Sequence, residues 1–373
     1  VTSTGWPARL GLLIVILAAE FVVLEAGFRW RGGTEASPNF QDLFMQDPRV
    51  GHRLRPGAST RYATVEFTTD LAINADGVRD DAPIGPKAPG ETRIVILGDS
   101  LVLSVQVELQ ETFGKALERN LQARYPSQRW RVINAGVQGY GPVDEWLLYH
   151  HVVNTFDADL VLAVVFVGND AIEAHGKAAW IDAGAAVSEG AADEATKGLR
   201  RLLRSSMVWQ NARVRWDQLK ARLQGPGPER PLTSYLADAP ADVFSGLETS
   251  RRAYGLIATE AATRRARTAL VLMPARFQTD DADFERLSAV VSAGGGTLQR
   301  DAATERFRTA LEPLGLPILD LLPALRAEPN REELFFQRNV HLTPRGHRVV
   351  GEVLTPFVAG IIESTPAKDP QPR

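Results

Sequence analysis

The chain has 373 residues, 44% hydrophobic and 23% charged, with no cysteine. That is enough apolar sequence for one large or two ordinary cores, and the missing thiols exclude disulfides, thiolate metal sites and a cysteine nucleophile. A net charge of −3 leaves no basic footprint for nucleic acid and no acidic run suited to a polycation.

Residues 1–30 contain a run that is apolar from Leu10 to Phe28 apart from Glu20 and Glu25. As a helix rising ~1.5 Å per residue it would extend roughly 28 Å, near the thickness of a bilayer core, so the run is read as a signal-anchor or transmembrane helix. The two carboxylates are costly in such a span, and an amphipathic helix packed on the domain or lying on the membrane surface is the alternative. Residues 31–90 read as linker and a small β region: polar and apolar residues alternate over Tyr62–Phe67 and Leu71–Ile73, with turn signals at Pro56-Gly57 and Asp76-Gly77.

From Arg93 the pattern is strand, then helix, repeated. Ile94–Leu97, WRVINAGV, Leu160–Val167, TALVLMP and LPILDLLP are five strand candidates, and Phe113, Leu117 and Leu121 mark one helix face. Strands apolar on both faces and separated by helices predict a three-layer α/β sandwich around a parallel sheet over 91–363. Residues from about 180 to 250 interrupt the rhythm as a helical excursion, and 364–373 read as a disordered tail.

In an open α/β sheet, loops at the carboxyl ends of the strands converge on a crevice. The first strand ends in Gly98-Asp99-Ser100, the second in NAGVQGYG with Gly136, Gly139 and Gly141, the third in Gly168-Asn169-Asp170, and His341 precedes the last helix. Taken singly these are a helix cap, glycines that relieve the backbone, an Asx turn and a structural histidine. Their common position at strand ends or in the final loop, in an order that lets one crevice collect them, is what makes them a candidate site.

This ordered series resembles the four blocks of the SGNH/GDSL hydrolase family, and INADGVRDD and SVQVELQETF resemble its membrane-anchored bacterial branch. The resemblance spans roughly residues 45–360. It implies a flavodoxin-like fold with Ser100 as nucleophile, His341 as base, and an oxyanion hole made by the Ser100 and Gly139 backbone N–H groups and the Asn169 side-chain amide. It implies no metal or cofactor. A hydroxyl needs a base within hydrogen-bond reach, and the oxyanion of the tetrahedral intermediate needs aimed donors, so these residue types suit acyl transfer.

One position departs from the pattern. The family usually carries an aspartate two or three residues before its histidine, and here those positions hold Asn339 and Arg338. Three readings stay open: a Ser–His dyad oriented by Asn339 or a backbone carbonyl, a triad closed by a carboxylate elsewhere, and a binding domain without catalysis. Ser104 and Gln106, where the branch often has a nearby glycine, are expected to reshape only the pocket rim. His347 is expected to be structural, and adjacent His150 and His151 to face different ways.

The resulting expectation is a membrane-tethered, extracytoplasmic serine esterase or acyltransferase acting on an O-acyl or O-acetyl ester of a cell-envelope or exported polysaccharide. Its alternatives are a catalytically impaired binding or scaffold protein of an envelope assembly and a lipase-like esterase. No nucleic-acid partner is expected, and the oligomeric state is open.

Overall fold

The computed structural model describes residues 6–30, 40–64, 66–186, 208 and 230–364. It begins with helix α1 (Trp6–Trp30), followed by two antiparallel pairs, β1 (Phe44–Asp47) with β2 (Gly51–Leu54) and β3 (Ser59–Ala63) with β4 (Thr68–Ala72). These pairs are the small β region expected from the alternating sequence.

The helix expected near the N-terminus forms, but the expected membrane span is not found: among the described residues no helix is long and apolar enough to cross a membrane. Glu20 and Glu25 interrupt the apolar run, and the Glu25 carboxylate accepts the Val208 backbone N–H at 3.0 Å. Leu12, Val15, Val22 and Val23 are exposed.

Then come β5 (Glu91–Leu97), α2 (Ser100–Leu103), α3 (Phe113–Arg124), β6 (Arg129–Asn134), α4 (Pro142–His151) and β7 (Leu160–Phe166). They are followed by α5 (Asp170–Ala174), α6 (Ala178–Ala183), α7 (Ala241–Thr263), β8 (Arg267–Met273), β9 (Ile318–Asp320) and a last long helix, α8 (Pro344–Glu363). Most of the excursion read over 180–250, and the tail after Ser364, lie outside the described residues.

The five predicted strands make one parallel sheet in the order β6-β5-β7-β8-β9. Alternation of side chains explains why each strand is apolar throughout. Ile94, Ile96, Leu160 and Leu162 pack with Leu117 and Leu121 of α3 and Val350 and Leu354 of α8. Their neighbours Val95, Leu97, Val161 and Ala163 join the opposite layer, with Leu147 of α4 and Tyr254 and Ile257 of α7. The three-layer α/β sandwich expected from the sequence is therefore the fold.

Strand order places the site. Because β5 lies between β6 and β7, its carboxyl end brings Ser100 between the segment after Asn134 and the Gly168-Asn169 turn. The segment 335–342 then crosses the same end of the sheet before α8 begins.

Candidate active site

The turn out of β5 is shaped by Asp99, which is buried and caps α2 by accepting the Leu101 N–H at 2.8 Å. Ser100 is thereby the first residue of that helix, half-buried. Asn134, at the end of β6, bolts the next segment to it: its amide donates to the Val102 carbonyl at 2.6 Å, while its Oδ1 accepts the Gly136 N–H at 3.0 Å. A Cβ on Gly136 would lie 2.4 Å from the Leu103 nitrogen, so only glycine lets the two segments meet this closely. Gly139 needs glycine for a different reason. Its φ is +74°, with open space around it.

Ser100 and His341, 241 residues apart, are brought into contact, with Oγ and Nε2 separated by 2.8 Å. On the other side of the ring, Nδ1 lies 2.5 Å from Asn339 Oδ1. The same Oδ1 accepts the His341 backbone N–H at 3.2 Å. A backbone N–H needs an acceptor, which identifies the oxygen of the carboxamide and settles the ring: Nδ1 carries the proton and Nε2 offers a lone pair to the serine hydroxyl. That is the tautomer a serine general base requires, and asparagine selects it without a charge. Burial of the ring lowers the His341 pKa to about 4, so the imidazole is neutral across the physiological range.

The Ser100 and Gly139 backbone N–H groups donate to no acceptor in the described protein. Gly139 is exposed, while Asn169 is half-buried at the start of α5. One N–H of the Asn169 amide donates to Glu173 Oε1 at 2.8 Å.

The sequence model of the GDSL-like Lipase/Acylhydrolase family matches residues 96–349, which bracket Ser100, Gly139, Asn169 and His341. The chain belongs to this family. Among solved structures, it is similar to an acetyl xylan esterase, AlAXEase, at 12% identity and a TM-score of 0.41, covering 71% of this chain and 99% of that one. It is likewise similar to a lipase/acylhydrolase from Enterococcus faecalis, at 13% identity, a TM-score of 0.40, and coverage of 72% and 96%. A two-domain esterase active on acetylated mannans shows 14% identity and a TM-score of 0.40, with coverage of 76% of this chain and 53% of that one. None of the curated proteins matches the chain.

One expectation about this GDSL-type site changes once the side chains are placed. Ser104 and Gln106 are not on a rim: they are 1% and 4% exposed. Ser104 ends α2 in the left-handed region (φ 57°), where glycine is the usual choice, and its hydroxyl donates to the Leu101 carbonyl at 2.6 Å. The loop is drawn inward by Arg79, 1% exposed, whose guanidinium donates to the carbonyls of Leu103 at 2.8 Å, Ser104 at 2.5 Å and Val107 at 2.6 Å. Arg79 stands in the INADGVRDD stretch, which signalled the family but not this role.

His347 is structural as expected: it is buried, and its Nδ1 accepts the Phe113 N–H at 3.2 Å, which requires a neutral ring. Burial lowers its pKa to about 3. His150 reaches the Glu260 carboxylate at 2.9 Å, while His151 meets the Gly184 carbonyl at 2.8 Å, so the two face different partners.

Sequence reasoning missed a group of buried acids behind Asn169. Asp99, Glu145, Asp170 and Glu173 interact with one another, and burial raises all four pKa values, to about 7 for Asp99 and Glu173 and well above the usual carboxyl range for Glu145 and Asp170. Tyr254 hydrogen-bonds Glu145, whereas Asp170 Oδ1 and Glu173 Oε2 meet no hydrogen-bond partner among the described residues. The raised values favour the neutral carboxyls, which cost less to bury than carboxylates do. Nothing local marks these residues as a cluster, since α4, α5 and the β5 turn contribute one or two each.

Proposed function

We propose that the protein is a serine esterase that cleaves O-acyl esters, in particular O-acetyl esters of a cell-envelope or exported carbohydrate, passing the acyl group to water or to a sugar hydroxyl. The observation that carries this reading is the Ser100–His341–Asn339 line, with Oγ 2.8 Å from Nε2 and Nδ1 turned to the Asn339 carbonyl oxygen. The preference for a carbohydrate ester rests on the resemblance to bacterial envelope enzymes.

In this reading Ser100 Oγ attacks the ester carbonyl carbon while its proton passes to His341 Nε2. The carbonyl oxygen becomes an oxyanion, facing the Ser100 and Gly139 N–H groups and the Asn169 amide; each strong donor of this kind lowers the barrier by ~3 kcal/mol. Collapse of the tetrahedral intermediate breaks the C–O bond, and the imidazolium returns its proton to the leaving alcohol. The incoming hydroxyl then repeats the cycle on the acyl-enzyme, its proton leaving through the same ring nitrogen. The Ser100 and Gly139 N–H groups, which meet no acceptor in the described protein, are available for this role. No step calls on a cofactor or metal.

Asn339 makes the imidazolium expensive: it orients the ring but adds no negative charge, and burial already opposes protonation. A modest turnover number follows. The same residue also favours the competing reading, a binding or scaffold protein of an envelope assembly, which predicts ligand binding that survives Ser100→Ala without ester turnover. A lipase-like enzyme would instead prefer long acyl chains.

The test is hydrolysis of p-nitrophenyl acetate, butyrate and octanoate together with fluorophosphonate labelling of Ser100. Turnover strongest on acetate and abolished by Ser100→Ala and His341→Ala supports the esterase. Folded protein with neither turnover nor labelling sinks it. For location, the reading places the enzyme outside the cytoplasm at a membrane, with α1 and its exposed apolar side chains against the lipid surface. Co-flotation with anionic vesicles that is lost on removing residues 6–30 tests that contact.

A further inference from the structure

The segment that carries Asn339 and His341 has no regular ladder to hold it, yet its backbone is pinned from two sides. On one side Arg276 donates from Nη1 to the carbonyls of Phe336 at 3.1 Å and Gln337 at 2.6 Å. On the other, Glu66 accepts the next two N–H groups, Arg338 on Oε1 and Asn339 on Oε2, each at 2.9 Å. A carboxylate is the side chain suited to two successive donors, since each oxygen takes one.

Glu66 lies in the turn between β3 and β4, outside residues 96–349 that the family model matches. The same β region reaches the other parts of the site. Phe67 packs on Phe336 with ring centroids 5.3 Å apart. Thr69 Oγ1 donates to the Val105 carbonyl at 2.7 Å, and the Asp70 N–H to Glu108 Oε1 at 2.9 Å, both in the segment after α2. From β2, His52 Nε2 donates to the carbonyl of Gln138, beside Gly139, at 2.9 Å, and Tyr140 returns a hydrogen bond to the His52 carbonyl. Residues 40–72 thus touch the segments bearing Ser100, Gly139 and His341.

We propose that Glu66 is a positioning residue for the general base, and that the N-terminal β region is a clamp that assembles the site. This rests on the catalytic reading of Ser100 and His341. The route is short: Glu66 fixes the backbone of Asn339, whose Oδ1 fixes the His341 ring, whose Nε2 meets Ser100. Releasing two adjacent N–H groups frees that backbone to move, and a displacement of ~1 Å at a general base can cost ~100-fold in rate.

The experiment compares the full chain with Glu66→Gln and Glu66→Ala, following p-nitrophenyl acetate turnover, the rate and end point of fluorophosphonate labelling at Ser100, and the His341 Nδ1–H resonance by NMR. Glu66 is on a partly exposed turn, so both variants should fold. The expected result is a kcat about 10- to 100-fold lower with KM within about two-fold. Labelling should slow by the same factor and still reach completion, Glu66→Ala should be the worse, and the Nδ1–H signal should broaden or vanish. Wild-type rates in both variants, or labelling that keeps its rate constant and loses end point in proportion to unfolded protein, would overturn the proposal. If wild-type Ser100 does not label at all, the catalytic reading fails first; an Nδ1–H resonance unchanged in both variants independently refutes the positioning role.

Discussion

Glu173 holds the carboxamide of Asn169 from one helical turn away, with Nδ2 and Oε1 2.8 Å apart. One amide N–H is occupied by this bond, which restrains the group and leaves the second N–H for the donor role proposed above. A fixed donor stabilises an oxyanion without reorganising, whereas a rotating one must first be ordered.

Removing that support should therefore cost less than removing the donor itself. Asn169→Ala is expected to lower kcat by about 100-fold or more, in the range for loss of one oxyanion donor. Glu173→Ala should lower it by about 10-fold, with KM little changed, because the amide remains but is no longer held. Steady-state kinetics on p-nitrophenyl acetate distinguish the two, and equal losses would show that Glu173 does more than orient its neighbour.

Asn339 accepts the His341 ring N–H and backbone N–H on a single oxygen. Aspartate could keep both bonds and add a charge that stabilises the imidazolium, so Asn339→Asp should raise kcat by at least ~10-fold; the reverse exchange in a serine-protease triad costs ~10⁴. Asn339→Ala should lower it, since the ring loses its orienting acceptor. Faster labelling of Ser100 in Asn339→Asp is a second readout of the same effect. A slower Asn339→Asp enzyme would mean that geometry, rather than charge, limits the base.

How far the sequence could be read follows the distance over which each interaction acts. The strands were legible because Ile94–Leu97 and Leu160–Val167 bury both faces, Ser100 because it follows the end of such a strand, and His341 because its loop leads into the last helix. The contact of Glu66 with Arg338 and Asn339 joins residues more than 270 positions apart and leaves no periodicity behind. Ser104 and Gln106 were misplaced on a rim because the residue that pulls them inward, Arg79, belongs to another segment. The apolar run at the N-terminus was legible as a helix.

The pH dependence of turnover should reflect the enclosed His341. The ring must be neutral to accept the Ser100 proton, and its pKa is lowered to about 4 by burial. The acid limb of kcat/KM is therefore expected near pH 4, rather than near the unperturbed histidine value of about 6.5, with a flat profile just above it. In Asn339→Asp the limb should move upward, because a carboxylate favours the charged ring. Rates between pH 3.5 and 7 on a slowly self-hydrolysing ester check both statements. A wild-type limb at 6 or above would contradict the enclosure of the ring.

The buried acids make the opposite demand on stability. Asp99, Glu145, Asp170 and Glu173 have raised pKa values, so the folded state keeps protons that the unfolded chain releases from about pH 4 upward. Their stabilising contribution is full below that pH and is lost as pH rises through the folded values, which for Asp99 and Glu173 lie at about 7. The lowered values of His341 and His347 act in the other direction: their contribution is present above about pH 6.5 and is lost as pH falls toward 4 and 3. A single melting curve therefore mixes the two, and the difference between wild type and one variant separates them. Glu145→Gln keeps the shape of a fully buried side chain and removes one titrating group. It should melt near wild type at pH 5 and a few degrees higher at pH 8, with the gap widening between those values. Thermal denaturation followed by circular dichroism at pH 5, 6.5 and 8 measures that gap, and a gap independent of pH would show that Glu145 does not exchange a proton on unfolding in this range.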